Sequence, residues 1–207
     1  MRVLLLSPHT DDVELGAGGT LLKLLKQGHK IKWIVFSTCE DAVPEGMPKD
    51  TLKKEFLSVI KKVGIEDYEI WNFKNRFFYE ERQKLLDKLY KLNKTFNPNL
   101  VIGPSLNDIH QDHKQVAIEM ARAFKKDASI LSYEEPWNNI SFEPRVFSAV
   151  TSQEINEKWE ILLSYKSQFK IKRNYFTKEF IIGLARARGT QVNSEFAEAF
   201  EVIRWHI

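Results

Sequence analysis

Cysteine is almost missing from this 207-residue chain, where Cys39 stands alone. A lone thiol excludes an intrachain disulfide framework and any zinc site built from cysteines. An excess of one charge is missing too: 31 Lys and Arg face 28 Asp and Glu, for a net charge of +3. With the charges spread along the chain, no nucleic-acid partner is expected. The densest basic run, Lys170-Ile171-Lys172-Arg173, reads as a solvated face. The apolar run near the start, Val3-Leu4-Leu5-Leu6, is too short for a signal peptide or an integral membrane segment. A cytoplasmic protein is therefore expected, with peripheral membrane attachment left open. No internal repeat, low-complexity tract or flexible linker interrupts the sequence, and its length suits one domain over residues 1–207.

What is present alternates strand with helix. Residues 2–6 predict a buried strand, and Glu14 to Gln27 a helix stopped by Gly28. Ile31 to Ser37 reads as the next strand. Leu52, Phe56, Val59, Ile60 and Val63 then recur at helical spacing before Gly64. Strands at Tyr68–Phe73, Leu100–Gly103 and Ser129–Tyr133 flank helical stripes at Leu85–Phe96 and Val116–Phe124. This order predicts an α/β, Rossmann-like fold: a mostly parallel sheet with helices on both faces. Further on come a strand at Val146–Val150, a capping box at Thr151–Glu154 opening a helix, a helix over Phe176–Arg188 and a last strand over Phe200–Trp205.

Two clusters carry chemistry. His9, Asp11 and Asp12 follow the first strand; Asp108, His110, Asp112 and His113 follow the fourth. In open α/β sheets ligands bind outside the carboxyl ends of the strands, and the usual doubly wound order makes these two strands neighbours. A lone Asp at a helix start is a cap, and a lone loop His is solvated. Crowded like charges, however, repel and need a counter-charge. Two imidazoles and a carboxylate suit a catalytic zinc with a position left for water, and the same set suits iron(II). One of Asp11 and Asp12 can then bind metal while the other serves as general base. His110 stands beside them to protonate a leaving amine or to stabilise an oxyanion.

The glycines Gly16, Gly18 and Gly19, with Glu40 after the second strand, offer a competing dinucleotide-binding reading. The third glycine of that pattern falls on Leu21, however, and the glycines lie inside the helix, where they suit close helix–sheet packing.

Pro8-His9-Thr10-Asp11-Asp12-Val13-Glu14-Leu15-Gly16-Ala17-Gly18-Gly19-Thr20 resembles the Pro-His-Pro-Asp-Asp-x-Glu-x-Gly-x-Gly-Gly-Thr signature of the LmbE-like, PIG-L-type de-N-acetylases. Asp108-x-His110-x-Asp112-His113 resembles their second motif. Ala185 to Gly189 with Phe196 to Phe200 is similar to their C-terminal segment. Thr10 replaces the usual proline, and Ala17 stands where cysteine is common. The resemblance implies zinc held by His9, Asp12 and His113, with Asp11 as base and His110 as acid or oxyanion stabiliser. Asp108 and Asp112 would orient the imidazoles. It further implies hydrolysis of the N-acetyl group of an N-acetylglucosamine-type amino sugar, releasing acetate and a free amine, and a homo-oligomer. Glu40, Trp137, Arg186 and Arg188 are candidate substrate contacts; for the two arginines a structural ion-pair network is the plainer role. Two rivals are hydrolysis of a non-sugar amide and a non-catalytic nucleotide or sugar-nucleotide binding module.

Overall fold

A computed structural model describes residues 1–206. Seven strands form one sheet: β1 (Arg2–Ser7), β2 (Lys30–Val35), β3 (Tyr68–Ile70), β4 (Leu100–Gly103), β5 (Ser129–Tyr133), β6 (Val146–Val150) and β7 (Phe196–Arg204). Their order is β3-β2-β1-β4-β5-β7-β6. β1 through β5 run parallel, and β7 lies antiparallel between β5 and β6. The sheet is the mostly parallel α/β arrangement expected.

Successive side chains of β1 serve opposite faces, as strand geometry requires. Val3 and Leu5 enter one core with Trp33 and Phe56. Leu4 and Leu6 enter the other with Phe36, Leu89 and Met120. The first face carries α1 (Asp12–Lys26), α2 (Thr51–Val63), α5 (Ser152–Leu162) and α7 (Lys178–Thr190); the second carries α3 (Arg82–Phe96) and α4 (Gln111–Phe124). A short α6 (Lys166–Ile171) precedes α7. Thr151 and Glu154 form the capping box that opens α5. Among the described residues, no helix is long and apolar enough to cross a membrane.

The structure corrects the sequence reading at two strands. The last strand starts at Phe196, ahead of the expected Phe200, and ends before Trp205. Its buried Glu198 breaks the apolar signature of a core strand. β3 is only half the expected length. The basic run 170–173 is exposed throughout, as expected; within it Lys170 Nζ donates to the Glu45 carbonyl at 2.6 Å, and Arg173 lines the rim of a cavity.

Helix α1 packs unusually close to the sheet. A Cβ at Gly16 would lie 2.6 Å from Tyr133 Cδ2, so only glycine fits there. The helix breaks at Ala17 (φ −144°, ψ 18°). A break leaves amides and carbonyls without helical partners. Glu198 satisfies the amides, accepting from Gly19 N at 2.9 Å and Thr20 N at 2.6 Å. Lys158 Nζ satisfies a carbonyl, donating to Leu15 O at 2.7 Å while pairing with Glu198 at 2.7 Å. Both side chains are buried. Removing one partner of such a pair strands the other's charge, at a cost of about 3–5 kcal/mol. Lys158→Met is therefore expected to lower unfolding stability by about 3 kcal/mol in urea titration. A loss under about 0.5 kcal/mol would show that the break is held by other contacts.

Candidate active site

The first cluster is built on the turn between β1 and α1. His9 N donates to Asp12 Oδ2 at 2.6 Å, folding that carboxylate back over the turn. Tyr165 OH donates to the Thr10 carbonyl at 2.5 Å and also contacts the Glu14 carboxyl, so the turn is tied down from the far side of the core. The second cluster lies between β4 and α4. Asp108 Oδ1 accepts from His110 N at 2.7 Å, and its Oδ2 lies 2.9 Å from His113 Nδ1. His110 is the N-cap of α4, its Nδ1 accepting from Asp112 N at 3.3 Å.

Parallel pairing of β1 with β4 puts the two turns side by side. His9 Nδ1 and His113 Nε2 are 3.1 Å apart. Asp12 Oδ2 lies 3.6 Å from the first and 3.5 Å from the second. A tetrahedral ion bound at about 2.0–2.1 Å has ligand–ligand edges of about 3.3–3.4 Å. These three atoms thus form one face of a tetrahedron that fits a zinc-sized cation. The outward nitrogens are occupied as ligating imidazoles require: His9 Nε2 by Asp112 Oδ2 at 3.1 Å, and His113 Nδ1 by Asp108. Asp112 is fixed in turn by the amides of Arg76 at 2.6 Å and Phe78 at 3.4 Å. Two wider sets, His9 with His110 and His113, and Asp12 with His113 and Glu135, also bring ligand atoms within 4.8 Å of one another.

The electrostatics call for positive charge. Burial alone would lower the pKa values of His9 and His113. Neighbouring groups override it and hold both well above the ordinary imidazole range: Cys39, Asp112 and Asp12 for His9, and Asp12, Glu135 and Asp108 for His113. Protons on these rings supply charge that a divalent cation would displace. Asp112 moves the opposite way to a buried acid: burial opposes its ionisation, yet His9 and the Arg76 amide hold it low.

Asp11 occupies the N-cap position of α1 but makes no side-chain cap bond, so its carboxylate is uncommitted. Burial and the adjacent Asp12 raise its pKa to about 6. His110 is lowered to about 4 by burial and by the nearby rings of His113 and His9, and so is neutral near pH 7. Because its Nδ1 accepts the Asp112 amide, the neutral ring carries its proton on Nε2.

The residues expected elsewhere fall differently. His9, Asp11, Asp12, His110 and His113 line one cavity of about 470 Å³, and Trp137 lines it too, stacked on Tyr175 with centroids 3.8 Å apart. Glu40 does not reach that cavity. It sits exposed on a short 3-10 turn and lines an adjoining cleft, because Cys39 adopts a left-handed conformation just before it. Arg186 is exposed, 3.8 Å from Glu195 and over the Phe196 ring. Arg188 grips Glu134 with Nε at 2.8 Å and with a second, shorter bond from Nη2. Neither arginine lines the cavity. Sequence reasoning missed Glu135, which lies 3.4 Å from His113 Nδ1. Burial raises its pKa to about 7, partly offset by His113. Its place at the carboxyl end of β5 is the signal that could have found it.

Fold and site together define an α/β protein with an imidazole–carboxylate centre at the switch point of its sheet. The chain belongs to the PIG-L deacetylase family: the family profile described as GlcNAc-PI de-N-acetylase matches residues 4–124, which carry both clusters. It is 26% identical over 170 residues to the uncharacterized deacetylase YaiS of Escherichia coli K12, covering 80% of this chain and 90% of that one. The N,N'-diacetylchitobiose deacetylase of Pyrococcus horikoshii shares its fold with a TM-score of 0.81 at 18% identity, over 98% of this chain and 83% of that one. GalB, the 4-carboxy-2-hydroxymuconate hydratase of Pseudomonas putida KT2440, shares it with a TM-score of 0.80 at 18% identity, over 100% and 97%.

If Asp108 orients His113 toward a cation, Asp108→Asn should weaken zinc affinity by about 10- to 100-fold in a competition titration. Unchanged affinity would remove Asp108 from the support of the centre.

Proposed function

We propose that this chain is a zinc-dependent hydrolase acting as one domain over residues 1–207. It removes the N-acetyl group of an N-acetylglucosamine-type amino sugar and releases acetate and a free amine. The observation that carries this reading is the convergence of His9 Nδ1, Asp12 Oδ2 and His113 Nε2 on one point of the cavity wall. Beside them stand an uncapped carboxylate and a tautomer-fixed imidazole. Family membership supplies the reaction class.

When bound by His9, Asp12 and His113, a divalent cation supplies Lewis acidity, polarising the acetyl carbonyl and acidifying water. The chain's own groups do the rest. Asp11, free of capping duty, accepts the proton of the attacking water at its carboxylate. His110 Nε2–H donates to the oxygen that becomes negative as the acetyl carbon turns tetrahedral. The proton held by Asp11 then passes to the departing nitrogen, which leaves as an amine. Asp112 and Asp108 keep both ligating rings from rotating. The Trp137–Tyr175 stack offers a flat apolar wall on which the sugar ring can rest.

Hydrolysis of a non-sugar amide would use the same groups, so substrate comparison separates the two readings. Zinc-loaded protein is expected to release acetate from N-acetylglucosamine glycosides faster than from non-sugar N-acetyl amines. Asp11→Asn should keep its zinc and lose about 10²- to 10⁴-fold in kcat. Wild-type kcat in that variant would refute the base assignment, and preference for non-sugar amides would refute the substrate class.

A further inference from the structure

Asp11 is the least anchored of the groups that the proposed reaction needs. His9 and Asp12 hold each other, since His9 N donates to Asp12 Oδ2 at 2.6 Å. Both ligating rings are held from outside by Asp112 and Asp108. His110 caps α4 and accepts from the Asp112 amide. The Asp11 carboxylate lines the cavity but, among the described residues, bonds to no neighbouring residue. Its direction is therefore set by the backbone of the turn that carries it.

That turn has one tether at the residue before Asp11. Threonine does not lock its own φ as proline would. The Thr10 amide and hydroxyl make no hydrogen bond among the described residues, and its carbonyl accepts one, from Tyr165 OH at 2.5 Å. The same hydroxyl meets the carboxyl of Glu14, in the first turn of α1. One phenol oxygen thus bridges the two ends of the segment that holds Asp11 and Asp12.

Tyr165 is built to act as a fixed post. It is fully buried in the connection between α5 and α6. Its amide donates to Leu162 O at 3.0 Å, and its ring meets Phe176 edge-on, with centroids 6.5 Å apart. Packing accounts for the ring, which phenylalanine would supply equally. It does not account for the oxygen, whose burial is repaid only by the partners it finds. Those partners flank Asp11.

We infer that Tyr165 is a positioning residue, whose hydroxyl holds the β1–α1 turn so that the Asp11 carboxylate faces the attacking water. This rests on Asp11 being the base in the deacetylase reading. A division of labour within the turn follows. His9 and Asp12 keep their mutual geometry through their own bond, so cation binding does not need the Tyr165 hydroxyl, whereas the base does.

The test compares four zinc-loaded proteins on one N-acetylglucosamine glycoside: wild type, Tyr165→Phe, Asp11→Asn and the double variant. Tyr165→Phe is expected to hold zinc with an affinity within about 3-fold of wild type. It should keep KM and lose about 10- to 100-fold in kcat. In the Asp11→Asn background the same substitution should cost less than about 2-fold, because a bond that acts through Asp11 then has no base left to position. The melting temperature should fall equally in both backgrounds, since the buried Thr10 carbonyl loses its donor in each. Equal losses of kcat in the two backgrounds, or unchanged kcat in Tyr165→Phe, overturn the inference and leave the deacetylase reading intact. So does a Tyr165→Phe protein that loses its zinc or its cooperative melt, which would make the hydroxyl a general support of the fold. No acetate from the wild type overturns the deacetylase reading and the inference with it.

Discussion

The parallel pairing of β1 with β4 is the constraint on which the site depends. Val3, Leu4 and Leu5 lie in register with Leu100, Val101 and Ile102. The backbone ladder therefore delivers two turns, far apart in sequence, to the same edge of the sheet. His9 and His113 are 104 residues apart in the chain and 3.1 Å apart in space. Because these strands are buried on both faces, a slip in register would cost both cores at once. The centre inherits its precision from two strands buried on both faces, with only short turns between that scaffold and the clustered side chains.

What the turns deliver would be unfavourable alone. Asp12, Asp108, Asp112 and Glu135 are all buried within reach of two imidazoles. Buried charges are tolerated when paired, and here the pairing runs inward to a common point. The outer carboxylates are held by backbone amides and the imidazoles by the outer carboxylates. The remaining ring nitrogens and the Asp12 oxygen face one another. Helix α1 shows the same economy at a second place. Its break at Ala17 is closed by Glu198 and Lys158, which lets the start of the helix present Asp12 while Gly16 packs against Tyr133. The C-terminal segment thus supports the site from behind, and Arg188 does likewise by bracing Glu134, next to Glu135.

Much of this was legible in the sequence because it rests on local signals. The apolar run of β1, the helical stripes of α2 and α3, and clusters of ligand residue types after two strands can each be read directly. The glycines of α1 read correctly as packing residues, since their spacing misses the nucleotide fingerprint. Other features depend on long-range contacts that no local pattern carries. Glu198 disguises a core strand because its polarity answers to a helix break elsewhere. Glu135 looks like one of several loop residues until β5 is set beside β4. Glu40 sits where a strand-end acid should contribute, but the left-handed Cys39 sends it into the next cleft. Arg173 belongs to a run that looks like surface, and only the packing of Tyr175 on Trp137 brings it to the cavity.

The central claim is that His9, Asp12 and His113 together hold one divalent cation. Elemental analysis of the purified chain, chelated and then reconstituted with zinc, addresses it most directly. About one zinc per chain is predicted, with a matching rise in melting temperature, since a ligand that binds only the folded state stabilises it. No stoichiometric metal under any loading condition would contradict the account.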